Sequence, residues 1–200
     1  SNKKALDNGI TTAEIFTQVS ETDTKIPLIA MTYFNVVLQF GLEAFCKKCS
    51  ECGIHGIIVP DLPVDIYLKN YKAIFDRYDI ANILMITPET SLDQIRLLDE
   101  LSEGFLYAVS TSGTTGKKSG IKGAQQFLRR IADMDLKNPV MVGFNISTSD
   151  DFELANSYCD GAIIGSAFIR HIQQHGTEDG QIKSFVQSIL KTSNDYSNRT

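Results

Sequence analysis

Short, unbroken apolar runs alternate with longer amphipathic segments along almost the whole chain, and this rhythm leaves few folds open. Ile26–Tyr33, Ile54–Val59, Asn82–Thr87, Phe105–Val109, Val140–Gly143 and Gly161–Ile164 read as strands. Phe40–Cys52, Asp65–Tyr78, Ser91–Ser102, Gly123–Met134 and Ser149–Tyr158 read as the helices between them. Thr11–Thr22 precedes the first strand as a helix, and Ala167–Gln173 and Gly180–Lys191 follow the last. A strand apolar at successive positions is covered on both faces, which is the situation of a parallel sheet beneath helices. Units of about thirty residues supply the right-handed crossovers that parallel neighbours need. The six predicted strands fit a six-stranded open sheet, or an eight-unit barrel of which the first two strands are not in this sequence.

Local signals sharpen the boundaries. Ser91 stands at an N-cap position, with Leu92, Ile95, Leu98 and Leu101 along one face behind it. Gly53 is positioned to end the helix before it, and Pro88 to end a strand. One stretch departs from the rhythm: ten of the fourteen residues of Ser110–Gly123 are Gly, Ser or Thr, and three more are Lys. Because βα units continue on both sides, residues 110–123 are expected to form a mobile loop over a site within a single domain spanning residues 1–200, rather than a linker.

Charge and cysteine usage exclude several classes. Lys plus Arg is 19 against 24 for Asp plus Glu, so the basic excess of a nucleic-acid surface is missing. No apolar run approaches membrane-span length. No basic segment followed by an apolar core opens the sequence, and with unpaired thiols this points to a reducing cytoplasm. The sequence does not open on Met, so a processed or incomplete start is expected. Cys46, Cys49 and Cys52 form a C-x2-C-x2-C run, but Cys159 is remote and the run lies on an amphipathic helix with Leu42 and Phe45. Small apolar thiols on a core-facing helix are the expected reading, and no metal site is expected. His171 and His175, four residues apart on a late helix, are expected to be solvated.

Three glycine- and hydroxyl-rich segments follow strand C-termini and have anion-binding chemistry: Ser112–Gly116, Gly143–Ser147, and Gly165-Ser166 at a helix start. Glycine lets backbone N–H groups approach a ligand closely, and a helix N-terminus adds orphan donors and partial positive charge. The bland alternative is that these glycines only make tight turns. Tyr33, Tyr107 and Phe144 stand at predicted strand ends, where together they suit a planar apolar group; singly, each reads as core. Asp61 is the carboxylate at a strand end, either a general base or, more in keeping with its isolation, an anchor for its own loop through an Asx turn.

With Ile26-Pro27-Leu28 leading to Tyr33-Phe34-Asn35, then Pro60-Asp61-Leu62-Pro63, Ser112-Gly113-Thr114-Thr115-Gly116, Gly143-Phe144-Asn145-Ile146-Ser147 and Gly165-Ser166-Ala167, in that order, the sequence resembles the tryptophan synthase alpha chain family over essentially its whole length. The resemblance implies an α/β fold, a (β/α)8 TIM barrel with six of eight strands in this chain. It implies retro-aldol cleavage of indole-3-glycerol phosphate to indole and glyceraldehyde 3-phosphate, within L-tryptophan biosynthesis. Indole then passes to a beta chain that carries pyridoxal phosphate in a heterotetramer, and the alpha chain itself needs no cofactor. Carried over by position, Tyr33 and Tyr107 line the indole pocket, Thr115 and Gly116 belong to the closing loop, and Phe144 touches substrate. Asn145, Gly165 and Ser166 hold the phosphate, while Asn35 and Pro63 lie near the beta-chain contact. The resemblance implies no catalytic residue within this chain, because the family's Glu and Asp precede Ser1. Asn145 stands where the family usually has Gly; asparagine is the next residue after glycine to tolerate positive φ, so the backbone donor is expected to survive while the larger side chain is expected to crowd the phosphate. A non-catalytic phosphate-binding regulatory subunit and another phosphate-binding barrel isomerase of tryptophan or histidine biosynthesis are the competing expectations.

Overall fold

A computed structural model describes residues 9–110, 124–143 and 146–190. The chain divides into two compact units, Ser1–Leu84 with Ser102–Gly104, and Met85–Leu101 with Phe105–Thr200. In the first unit, α1 (Thr12–Ser20) is followed by β1 (Leu28–Met31), α2 (Phe34–Phe40), α3 (Leu42–Glu51) and β2 (Ile54–Ile58). Then come α4 (Val64–Ile66), a π turn over Tyr67–Tyr71, α5 (Lys72–Arg77) and β3 (Ala81–Asn82). The strands pair in the order β1-β2-β3, all parallel, with Met31 opposite Ile58 and Gly56 opposite Ala81.

Local chemistry sets most of these boundaries. The Thr11 hydroxyl accepts from Glu14 N–H while the Glu14 carboxylate accepts from Thr11 N–H at 2.7 Å, a reciprocal box that starts α1. Gly53, at φ +71°, ends α3 as expected. The predicted Phe40–Cys52 helix begins later than expected, because Gly41 at φ +89° separates it from α2, which the hydrophobic pattern did not reveal. Phe16, Phe40 and Phe45 form a triangle with ring centroids 5.2–5.9 Å apart, and Cys46 and Cys49 are fully buried beside them. Each such side chain taken from water contributes about 1.5–3 kcal/mol. The thiols therefore pack on the helix face read from the sequence, and desolvation pushes both up to about 12.

One expectation fails in β1. Its residues alternate, with Leu28 and Ala30 packed on the core while Ile29 and Met31 remain 39% and 49% exposed. Among the described residues β1 is the end strand of its sheet, and one of its two faces is covered by the core while the other is not. By contrast β2 is buried at four of five positions, as its apolar run predicts.

The second sheet has the order β4 (Leu84–Ile86), β5 (Leu106–Val109), β6 (Val140–Gly143) and β7 (Gly161–Ile163). The pairs β5/β6 and β6/β7 are parallel. Its helices are α6 (Leu92–Leu101), α7 (Gln125–Ala132), α8 (Ser149–Asn156), α9 (Ser166–His175) and α10 (Asp179–Leu190). Ser91 caps α6 through Gln94 N–H, and Ile95 and Leu98 of its predicted face are buried, although Leu92 is not. Thr148 and Asp151 form a second capping box at α8.

The predicted single strand Asn82–Thr87 is two, β3 and β4, divided at Ile83. Ile83 N–H still donates to Ile57 O, while Asn82 O accepts from Glu103 N–H and Leu84 N–H donates to the Ser102 hydroxyl. The turn after α6 thus takes up one edge of the strand before the next strand can pair there.

Candidate functional site

The anchor groups of the first unit lie in the loops after β1 and β2. Thr32 N–H continues the β1/β2 ladder by donating to Ile58 O at 3.1 Å. Tyr33 is the N-cap of α2, and its carbonyl accepts from both Val36 and Val37 N–H, yet no side chain of its own element caps the helix. Asp61 supplies that function from the next loop, its Oδ1 accepting Phe34 N–H at 2.8 Å. The Asx turn expected for Asp61 is corrected accordingly: the carboxylate ties a neighbouring loop. Its own loop is closed by Leu62 N–H to Val59 O. The Phe34 ring packs on Tyr71 at 5.5 Å, beneath a backbone held on both sides of Tyr33. The Tyr33 side chain remains 66% exposed, and Asn35 and Pro63 are exposed as well.

In the second unit, Tyr107 is corrected from a strand-end to a mid-strand residue, second of the four in β5, and buried. Burial pushes its phenol above the ordinary range. Its ring lies against Gly143, the last residue of β6: a Cβ on Gly143 would clash with the Tyr107 hydroxyl and lie 2.5 Å from Cζ. This glycine is required by the close approach of an aromatic ring, not by a turn.

Beyond Gly143, Ile146 is buried, while Ser147 gives both N–H and hydroxyl to the Asp151 carboxylate at 3.1 and 3.3 Å. Those donors belong to the α8 cap, which removes Ser147 from the anion-binding segment expected there. Gly165 and Ser166 behave differently. Gly165 is the N-cap of α9 without a side-chain cap bond, Ser166 is the first helical residue, and both are exposed. A Cβ built on Gly165 would meet nothing within 4 Å, so the space beside the N-cap of α9 is open, and the first N–H groups of a helix are its unpaired donors. Thr115, Gly116, Phe144, Asn145 and the loop 111–123 lie outside the described residues.

Two arrangements had no sequence signal. Arg130 of α7 donates to Pro88 O at 3.1 Å and Thr90 O at 3.0 Å, clamping the loop after β4. His171, expected to be solvated, is half-buried, with Nε2 2.9 Å from Gln181 O and its ring against Phe185 and His175.

Comparison with known proteins follows the same residues. Residues 1–197 match the family model described as tryptophan synthase alpha chain. The tryptophan synthase alpha chain of Flavobacterium johnsoniae is 50% identical over 192 residues, 94% of this chain and 75% of that one. That of Christiangramia forsetii is 47% identical, covering 94% and 74%. The solved tryptophan synthase A-subunit of Pyrococcus furiosus superposes with a TM-score of 0.80 at 30% identity, over 95% of this chain and 78% of that one. The parallel α/β architecture with intervening helices is that of a partial (β/α)8 barrel.

Proposed function

The chain belongs to the tryptophan synthase alpha chain family, a lyase family, and from that premise we propose how its residues serve the cleavage of indole-3-glycerol phosphate. The match of residues 1–197 to one family model carries the reading and favours it over a barrel isomerase and over a non-catalytic regulator. The reaction breaks the bond between indole carbon 3 and the side chain. Carbon 3 gains a proton, the indole N–H is polarised, and the adjacent side-chain hydroxyl loses its proton as the aldehyde forms.

Tyr33 and Tyr107 are proposed to contact the indole ring, with Phe144 beside the substrate. An aromatic face suits a planar apolar group, and Tyr107 is buried with its ring packed against Gly143. The phosphate is proposed to sit at the start of α9, where Gly165 leaves the backbone open and Ser166 adds a hydroxyl, with Asn145 as a further contact. Thr115 and Gly116 belong to the closing loop in this reading. Asn35 and Pro63 meet a beta chain, which carries the pyridoxal phosphate of the assembly; the alpha chain uses no cofactor of its own. A cytoplasmic location accords with the free thiols, and among the described residues no helix is long and apolar enough to cross a membrane. In this reading the proton transfers fall to the family's Glu and Asp.

The test is indole release from indole-3-glycerol phosphate by the natural protein carrying this sequence, with and without a beta chain. Gly165→Asp puts a negative charge at the α9 N-terminus and is expected to raise KM at least tenfold. A carboxylate-bearing protein that releases no indole would refute the assignment.

A further inference from the structure

The hydrogen bond between Asp61 and Phe34 joins two βα loops across 27 residues of sequence. Its acceptor is a carboxylate, its donor the first N–H of a helix, and such charge-assisted bonds are the strong ones. The bonded residue lies between Tyr33 and Asn35. We propose that Asp61 is a positioning residue, whose bond to Phe34 N–H sets Tyr33 for the indole ring and Asn35 for the beta chain at once.

Four observations support this. The backbone around Tyr33 is otherwise held from the strand side by Thr32 N–H on Ile58 O, and from the helix side by the Tyr33 carbonyl. The α2 N-terminus has no cap of its own, so the Asp61 carboxylate is the group that fixes where the helix starts. The Phe34 side chain is seated on Tyr71, which the π turn directs toward it. Yet Tyr33 and Asn35, on either side, are exposed. A fixed backbone beneath exposed side chains is the build of a binding surface, since a backbone already ordered adds no ordering cost of its own when a ligand arrives.

The inference rests on the roles proposed above for Tyr33 and Asn35, and the experiment separates the two. The probe is indole-3-propyl phosphate, which has no side-chain hydroxyl and so cannot be cleaved. Its affinity and that of a beta chain are measured for the natural protein and for Asp61→Ala, Asp61→Asn, Asp61→Glu and Tyr33→Ala, together with hydrogen exchange at the Phe34 amide. Asp61→Ala is expected to weaken both affinities about tenfold, the scale of one charge-assisted bond, and to speed Phe34 exchange at least as much. Asp61→Asn keeps an acceptor in place and is expected to stay within about threefold. Asp61→Glu keeps the charge but moves the acceptor by one methylene, and is expected to resemble alanine. Wild-type affinities in Asp61→Ala, with Tyr33→Ala impaired, overturn the proposal alone. Wild-type behaviour of Asp61→Glu with loss in Asp61→Asn also overturns it, because charge rather than position would then matter. Unchanged probe binding in Tyr33→Ala, or none by the natural protein, overturns the underlying reading and the proposal with it.

Discussion

Replacing Gly143 by alanine asks how tightly β6 is fitted beneath Tyr107. The new Cβ would clash with the phenol hydroxyl oxygen and lie 2.5 Å from Cζ and 3.1 Å from Cε2. Tyr107 is buried and turns about only two side-chain bonds, so either its ring or the strand must shift. Overpacking of this kind costs about 1–3 kcal/mol. With a urea dependence of about 2 kcal/mol/M for a protein of this size, the unfolding midpoint should fall by about 0.5–1.5 M. Gly161→Ala is the internal standard. Its Cβ would meet Met141 Cε at 2.7 Å and Sδ at 2.9 Å, but an unbranched thioether can move aside, and a loss below about 1 kcal/mol is expected. Adding Tyr107→Leu removes the obstructing atoms, so the double variant should be less destabilised than the sum of its parts by about 1 kcal/mol or more. Equal losses for the two alanine variants, or simple additivity of Gly143→Ala with Tyr107→Leu, would refute this account of the strand.

Asp99 is a buried carboxylate accepting Lys137 N–H at 2.6 Å, Asn138 N–H at 2.9 Å and Asn138 Nδ2 at 3.0 Å; Asp99→Ala strands these donors and should cost about 2–4 kcal/mol by urea denaturation. Partial burial of Asp151 opposes its charge, but hydrogen bonds from Thr148 and Ser147 outweigh it and hold the carboxyl below its ordinary 3.8. A depressed folded-state value means the contribution is fully present above 3.8 and lost as pH falls through the folded value, so the stability gap between the natural protein and Asp151→Ala should close in that acid range. Cys46 and Cys49, buried and pushed up to about 12, should resist iodoacetamide at pH 8 in the folded protein and react once it is unfolded in urea, read by mass spectrometry.

Much of the architecture was legible because its determinants are local. The capping groups of α1, α6 and α8 act over three residues, Gly53 stops α3 by its own positive φ, and the strand runs of β5 and β6 announce their burial directly. The ordered motifs likewise identify the family. Near the candidate site, the helix start at Gly165 and Ser166 was legible from the sequence. Ser147 reads differently: the glycine- and hydroxyl-rich pattern points to an anion or a tight turn, whereas its N–H and hydroxyl go to Asp151.

What the sequence by itself determined is therefore the alternation of strands and helices, the positions of most helix ends, the covered faces of the central strands and the family. These depend on propensity, periodicity and neighbours within one helical turn. Tertiary structure alone decided that α2 begins at Phe34, that β3 and β4 separate at Ile83, that one face of β1 lies open, that Tyr107 is sunk against Gly143, and that His171 turns toward Gln181. Most of these outcomes rest on a partner brought close by folding from well along the chain, and the open face of β1 on its place at a sheet edge. Neither hydrophobic spacing nor turn chemistry encodes which strand or loop will stand beside another.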